Sequence, residues 1–589
     1  MIKIAESNLT KAQLKFLKNE LNAAIVNARN KGISIPHCDI ILTSNRISYC
    51  DTGTYREYAE RQRNMQAFDI KRDNSSVLIS GGAYPGVMYG LYTLLKNQLG
   101  IRWYGLTEED IRCVDRPVLL PESESPEVPL RGIEGSLKSW SFDFIEKFML
   151  WMARNGWNQL LINAKDWLHS PKRNKIREIA DLCGINLVIG GHSFELFLPD
   201  QIFAEKPHLF GMRNGVRCIS GDVEILEQPG HKVNSRIQPC LSNPECAALI
   251  AQNAVSYLDS FKEIEVFSLW PHDGGNNWCQ CPLCLKRNPY ELMHELAQQI
   301  VSTSKRKIFI EILAYSNLLK PPENLSFEAS IYTLFCPYLR SYSNRLFDTG
   351  FPVENQRLGT LFPKPEPVYP VDDREYGYLF KKWLPKINAS GGALGVFAYY
   401  QLVFHDIRGN YDRSRYLLHP SMDLIHDELR YFINHGMLVY YDCSWPYPGF
   451  WPDGRLYSFY SRLLWNCNSK PALLINEYNK ANENIVEFLD RVGVLLDSNS
   501  HDISDLEALT AERPYQISEH VKLIEIWLDY VKLAMKSFSA ALQNKDSKVI
   551  EYEEQIIRLF EDERYILEMH VSVDWMINYS KSVIRHNSN

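Results

Sequence analysis

Eight short apolar runs between Leu130 and Cys443 constrain this chain more than any other feature. They read LRGIEGS, NQLLIN, INLVIGG, EVFSLWP, KIFIEILAY, ASIYTLF, ALGVFAYY and MLVYYDC. Stretches such as FDFIEKFMLWMARNGW and YELMHELAQQIVSTSK, apolar every three or four residues, fall between several of them. Runs of this length fit strands buried on both faces, and the intervening spacing fits helices. Strands alternating with helices are parallel, because a crossover helix returns the chain to start the next strand in the same direction. Eight such units predict an α/β fold, a (β/α)8 barrel. The interval 193–262, between the third and fourth runs, predicts an elaborated loop over the active face.

The flanks have other rhythms. In residues 1–125 a helical pattern ending in glycine (LTKAQLKFLKNELNAAIVNARNKG), a strand (CDIILTS) and a strand-turn-helix (SVLISGGAYPGVMYGLYTLLKNQLG) predict an N-terminal α/β domain. The turn GGAYPG lacks the lysine and the spacing of a phosphate loop and reads as a tight turn. The proline- and acid-rich PVLLPESESPEVPL marks a linker, so the barrel is placed at 126–452. Residues 453–589 hold only long helical patterns and predict a C-terminal α-helical domain.

Composition excludes some function classes. The net charge is −7 and there is no lysine or arginine run, which argues against a nucleic-acid partner. No run of apolar residues is long enough for a membrane span. The first residues, MIKIAESNLTKAQLKFLKNEL, have no signal-peptide core, which predicts a cytoplasmic protein, or a secreted or periplasmic one if the N-terminus has been trimmed. The sequence is compatible with a homo-oligomer. Thirteen cysteines, mostly inside apolar runs, suit buried thiols or metal ligands in a reducing compartment rather than disulfides.

Reactive side chains in such barrels stand at the carboxyl ends of the strands. Asp273 lies three residues beyond Trp270 of the fourth run, in PHDGGNNWCQCPLC. A carboxyl there can act as a general acid once burial raises its pKa; the alternative is an Asx-turn ahead of Gly274 and Gly275. Glycoside hydrolysis needs a second carboxyl, for which Glu134, Glu311 and Asp442 are candidates, Asp442 being placed at a strand end. His192 directly follows the third run, Tyr315 ends the fifth, and Tyr399 and Tyr400 end the seventh, while Tyr441 and Trp445 lie at or beyond the end of the eighth. Cys279, Cys281 and Cys284 supply three thiolates for tetrahedral zinc. Cys240 in QPCLSNPEC is the first choice for a fourth ligand, with Cys246 and His272 as alternatives.

The run ISGGAYPGVMYGLYTLLKNQLGIRWY (79–104) resembles the small α/β domain that precedes the barrel in glycoside hydrolase family 20 and in the family 67 α-glucuronidases. The barrel is more similar to bacterial proteins grouped as domain-of-unknown-function family 4838. The similarity lies in GGHSF (190–194), QPCLSNPE (238–245), PHDGGNNWCQCPLC (271–284), AYYQ (398–401) and YSFYSRLLWN (457–466). This resemblance implies a barrel related to glycoside hydrolases, Asp273 where those enzymes keep a catalytic acid, and Cys240 paired with the cysteine triplet. Family 20 enzymes place an Asp-Glu pair after that strand. Here His272-Asp273-Gly274 stands there, so their substrate-assisted pair is not implied.

The expectation is a carbohydrate-active enzyme that cleaves a glycosidic bond by carboxylate acid/base catalysis. Asp273, Asp442 and Glu311 are its candidate catalytic residues. His192, His272, Tyr315, Tyr399, Tyr400, Tyr441 and Trp445 are its candidate sugar-binding groups, and Cys240, Cys279, Cys281 and Cys284 would hold a structural zinc. A non-catalytic carbohydrate-binding barrel and a zinc-dependent hydrolase are the rival readings.

Overall fold

The computed structural model describes residues 9–588, apart from 36–38, 46–52, 108–110, 115–119, 220–223, 349–372, 401–420, 444–454, 482–487, 496–502, 512–518 and single or paired positions elsewhere. Near the N-terminus, Asp39–Ser44 and Ser76–Gly81 bury every second side chain, as strands with one face on a helix layer do. Ser76–Gly81 runs parallel to the first strand and antiparallel to Phe68–Arg72, which pairs in turn with Ser123–Glu124. Helices Lys11–Asn30 and Tyr55–Gln66 each start in a capping box, Thr10 with Gln13 and Thr54 with Glu57, satisfying backbone N–H groups that a first turn otherwise leaves open. The helix Tyr84–Leu99 covers the sheet with an almost wholly buried apolar surface.

The barrel follows. Its strands are β1 (Leu130–Gly135), β2 (Gln159–Asn163), β3 (Asn186–His192), β4 (Val266–Trp270), β5 (Phe309–Ala314), β6 (Ile331–Phe335), β7 (Ala393–Ala398) and β8 (Val439–Asp442). Each pairs in parallel with the next and β8 pairs with β1, so the eight apolar runs are the eight staves of a closed cylinder. Alternate side chains turn inward. Gly132 of β1 sits opposite Tyr441 of β8, and a Cβ at Gly132 would lie 2.2 Å from the Tyr441 ring. Gly132→Ala is therefore expected to destabilise the protein by about 1–3 kcal/mol through overpacking, read as a lower urea midpoint at unchanged slope.

The amino end of the cylinder is plugged by the N-terminal unit. Tyr55 stacks on Tyr332 at 3.8 Å and meets Phe309 edge-on at 5.5 Å, Tyr58 lies 5.0 Å from Phe309, and the Tyr55 N–H donates to the Ala329 carbonyl at 2.8 Å. Function is left to the opposite, carboxyl rim. Beyond β8, the helix Arg455–Trp465 packs into the barrel's outer core through Leu456, Tyr457, Tyr460 and Leu464. Trp465 carries the buried Arg131 guanidinium over its ring at 5.1 Å. The later helices Glu519–Leu542, Asp546–Asp562 and Val573–Asn587 contribute to a separate core around Trp527, Val531, Ile556, Phe560 and Met576. No described helix is long and apolar enough to cross a membrane.

Candidate active site at the carboxyl rim

Three ionisable side chains converge on the rim from three strands. His192 ends β3. Its Nδ1 bonds the carbonyl of Pro271, an acceptor only, so Nδ1 carries the proton and Nε2 faces Asp273 Oδ1 at 3.6 Å. Asp273 lies on the loop after β4, its side chain 66% exposed. Its Oδ1 accepts the Gly274 N–H at 2.7 Å and the Tyr315 hydroxyl at 3.4 Å, with Gly274 at φ 100, where a side chain would be strained. Glu134 reaches up from the inward face of β1 and accepts the Cys443 thiol at 3.2 Å. Burial holds the Glu134 carboxyl above its usual range; the Cys443 bond and nearby His192 pull it down, and Asp273 pushes it up. Glu134, His192 and Asp273 thus share one field.

Aromatic rings line the mouth from β3 to β7. Trp270 lies 5.1 Å from the His192 ring and 5.4 Å from Phe397, Tyr315 is 5.2 Å from Tyr338, and Tyr338 is 5.0 Å from Tyr399. Such rings offer apolar faces with polar tips, a surface that suits a sugar.

The loop bearing Asp273 is fastened from behind. The Gln238 side chain accepts the His272 N–H at 2.9 Å and donates to the His272 carbonyl at 2.7 Å. Asn277 donates to the Asp273 carbonyl at 2.9 Å. Below this loop the sulfurs of Cys240, Cys279, Cys281 and Cys284 lie within 4.8 Å of one another, all four residues buried. Those of Cys240 and Cys281 are 3.6 Å apart. A tetrahedral ion with metal–sulfur bonds of about 2.3 Å has sulfur–sulfur edges of about 3.8 Å, so four buried cysteines this close could bind a metal. Cys279 also accepts the Met212 N–H at 3.3 Å and Arg217 at 3.7 Å, and Cys281 accepts the Cys284 N–H at 3.4 Å, donors that suit thiolates. Met212 and Arg217 sit on a hairpin within the long insertion between β3 and β4. Cys246 and His272, the alternative ligands, are not in the cluster.

A family model described as a domain of unknown function, DUF4838, matches residues 117–482. The chain belongs to the DUF4838 family. No curated protein matches it by sequence. Among solved structures it is similar to a GH138 enzyme targeting pectin rhamnogalacturonan II, at 12% identity and a TM-score of 0.48, over 100% of this chain and 98% of that one. It is also similar to the Flavobacterium johnsoniae chitobiase FjGH20, at 12% identity and a TM-score of 0.47, over 100% and 89%. A third likeness is to CpGH84B, at 11% identity and a TM-score of 0.43, over 98% and 96%.

Several expected site residues of this DUF4838 barrel lie away from the rim. Asp442 follows the inward Tyr441 on β8 and so faces outward, into the field of Tyr440, Tyr460 and Tyr342. Tyr400 likewise faces outward and donates to Glu428 at 2.7 Å, which pairs with the buried Arg340. Tyr441 points inward but lies against Gly132, within the field of the plug residues Tyr55 and Tyr58. His272 is buried beside Phe194, with Nδ1 4.0 Å from Glu195, and burial pulls its pKa down to about 3, leaving it neutral behind the loop. Trp445 lies outside the described residues.

Glu311 is a special case. It points into the barrel but is fully buried beneath Trp270. It accepts Ser268 at 2.7 Å, Trp270 Nε1 at 3.0 Å and the Tyr332 hydroxyl. Burial pushes its carboxyl up to about 7, against those three bonds. The folded state therefore holds this proton more tightly than the unfolded chain. Its contribution to stability is complete below about pH 4.5 and is lost as pH rises to about 7. Glu311→Gln, which cannot ionise, is expected to shrink the loss of unfolding free energy between pH 5 and pH 8 by about 2–3 kcal/mol, measured by urea denaturation at both pH values.

Four residues of the rim and its support escaped sequence reading: Tyr338, Cys443, Gln238 and Asn277. Tyr338 stands three residues past the end of β6, beside Tyr315, which directly follows β5. Gln238 and Asn277 each stand two residues before a cluster cysteine, a spacing that was there to be read.

Proposed function

We propose that the protein is a glycoside hydrolase-type enzyme acting at the carboxyl rim of its barrel, with Glu134 and Asp273 as the paired carboxyl groups. The observation that carries this reading is the convergence of Glu134, His192 and Asp273 in a mouth walled by Tyr315, Tyr338 and Tyr399. Glycosidic cleavage needs one carboxyl to protonate the leaving oxygen and another to activate water or attack the anomeric carbon. Glu134, whose pKa burial holds above the usual carboxyl range, suits the first role. Asp273, oriented by Gly274, Tyr315 and His192, suits the second, and His192 Nε2 and the tyrosine hydroxyls are placed to bond sugar hydroxyls.

The four thiols support a structural zinc site. Four sulfur ligands close a tetrahedron and leave no position for a reacting water, which favours a hydrolase using carboxyls over one using zinc. The test is a panel of aryl glycosides and oligosaccharides, scored for both cleavage and binding. Cleavage of at least one member, lost in Asp273→Asn, is expected. Binding without cleavage would make the barrel a carbohydrate receptor, and neither would remove the proposal.

A further inference from the structure

We infer that a metal held by Cys240, Cys279, Cys281 and Cys284 sets the position of Asp273 through two side-chain amides, Gln238 and Asn277, which are positioning residues. Both amides are buried and each lies two residues before a ligand, Gln238 before Cys240 and Asn277 before Cys279. The two ligand arms meet between them. The Gln238 N–H donates to the Asn277 carbonyl at 2.8 Å, and Gln238 Nε2 donates to Asn277 Oδ1 at 3.0 Å. From that junction Gln238 clasps the His272 peptide from both sides, while Asn277 Nδ2 reaches the carbonyls of His272 at 3.3 Å and Asp273 at 2.9 Å. The backbone on either side of the Asp273 side chain is thus bonded to groups that the sulfur cluster draws together.

The segments that meet here need such a tie. Residues 236–241 and 277–283 carry no helix or strand, and the hairpin Met212–Arg217 has only two residues in each strand. Besides the Gln238–Asn277 pair, they touch through the Gln280 N–H to the Met212 carbonyl, the Asn214 N–H to the Gln280 side chain, the Cys240 N–H to the Leu209 carbonyl and the Met212 N–H to the Cys279 sulfur. A tetrathiolate ion would fix all of them at one point, and the amides would carry that order to the rim. The bland alternative is that the end of β4 alone fixes the loop.

The inference uses the proposed role of Asp273 only for its activity arm; its structural arm stands apart from any substrate. The full-length protein is loaded with cobalt(II) in place of the native ion, and amide exchange of the peptide spanning 271–278 is followed by mass spectrometry in loaded and chelated protein. One cobalt per chain with strong sulfur-to-metal charge-transfer bands is expected. Metal removal is expected to speed exchange in 271–278 about tenfold while β5 is unchanged. Should the chelated protein unfold, Gln238→Ala and Asn277→Ala carry the test: each is expected to retain its cobalt spectrum yet exchange the loop about tenfold faster. On any glycoside that is cleaved, the same variants are expected to lower kcat about tenfold with KM within about twofold, as mispositioning does. Cobalt without sulfur bands overturns the inference. So does a loop that exchanges alike with and without metal in folded protein, or variants that leave exchange unchanged. Absence of any cleavable glycoside together with a metal-dependent loop would overturn the hydrolase reading and leave the coupling standing.

Discussion

Asp273→Asn is expected to lower kcat/KM by about 100- to 10,000-fold on every glycoside the protein cleaves, with folding unchanged, because the side chain is 66% exposed and asparagine keeps an oxygen to accept the Gly274 N–H and the Tyr315 hydroxyl. Glu134→Gln is expected to behave differently. A group that donates a proton matters in proportion to how badly the leaving oxygen needs one. Glu134→Gln should therefore suppress turnover of unactivated glycosides on a similar scale while sparing aryl glycosides with strongly acidic leaving phenols. In the wild type, activity on unactivated substrates should fall as pH rises through the raised Glu134 pKa, since only the protonated carboxyl can donate. On activated substrates Glu134→Gln should lose that alkaline limb. Steady-state kinetics on one substrate of each kind, from pH 4 to 9, checks both variants. Equal losses on both substrates would move the proton-donor role away from Glu134.

Loss of a metal from the proposed four-cysteine site is expected to have the largest effect on stability. An ion that binds only the folded chain stabilises it by about 4 kcal/mol when free metal is a thousandfold above Kd. Chelation should lower the calorimetric Tm accordingly, and Cys240→Ser should do the same while reducing bound metal to well below one per chain. Cys246→Ser is the control. Cys246 is buried on the helix Pro244–Ser260, outside the sulfur cluster, so its variant should keep a full complement of metal whatever packing it loses. Equal metal content in the two variants would count against Cys240 as a ligand.

The eight staves were legible in the sequence because a strand buried on both faces is a short run of apolar residues whatever its neighbours do. The same double burial hid the parity of each strand. YYDC at the end of β8 has no polar and apolar sides to tell apart, so nothing in it reveals that Tyr441 and Asp442 face opposite ways. Only the pairing of Tyr441 with Gly132, whose missing Cβ makes room for the ring, fixes that phase. Tyr399 and Tyr400 divide in the same manner, one to the mouth and one to Glu428. Glu134 was a visible candidate, but its advantage over Asp442 lay in register rather than residue type. The loop carboxylate Asp273 was easier to place, since a group three residues past a strand end has left the pleat. Depth was invisible as well: Glu311 and Glu134 both point inward, and only the Trp270 roof separates them.

The tyrosine plug at the amino end bears on how this protein can be divided. The segment matched by the family model begins at residue 117, after Tyr55 and Tyr58. A fragment cut there would start with Phe309 and Tyr332 uncovered at the bottom of an open tube. The barrel is therefore not a portable module. Any recombination, natural or designed, that moves its chemistry to a new chain must bring along the helix Tyr55–Gln66 that corks it.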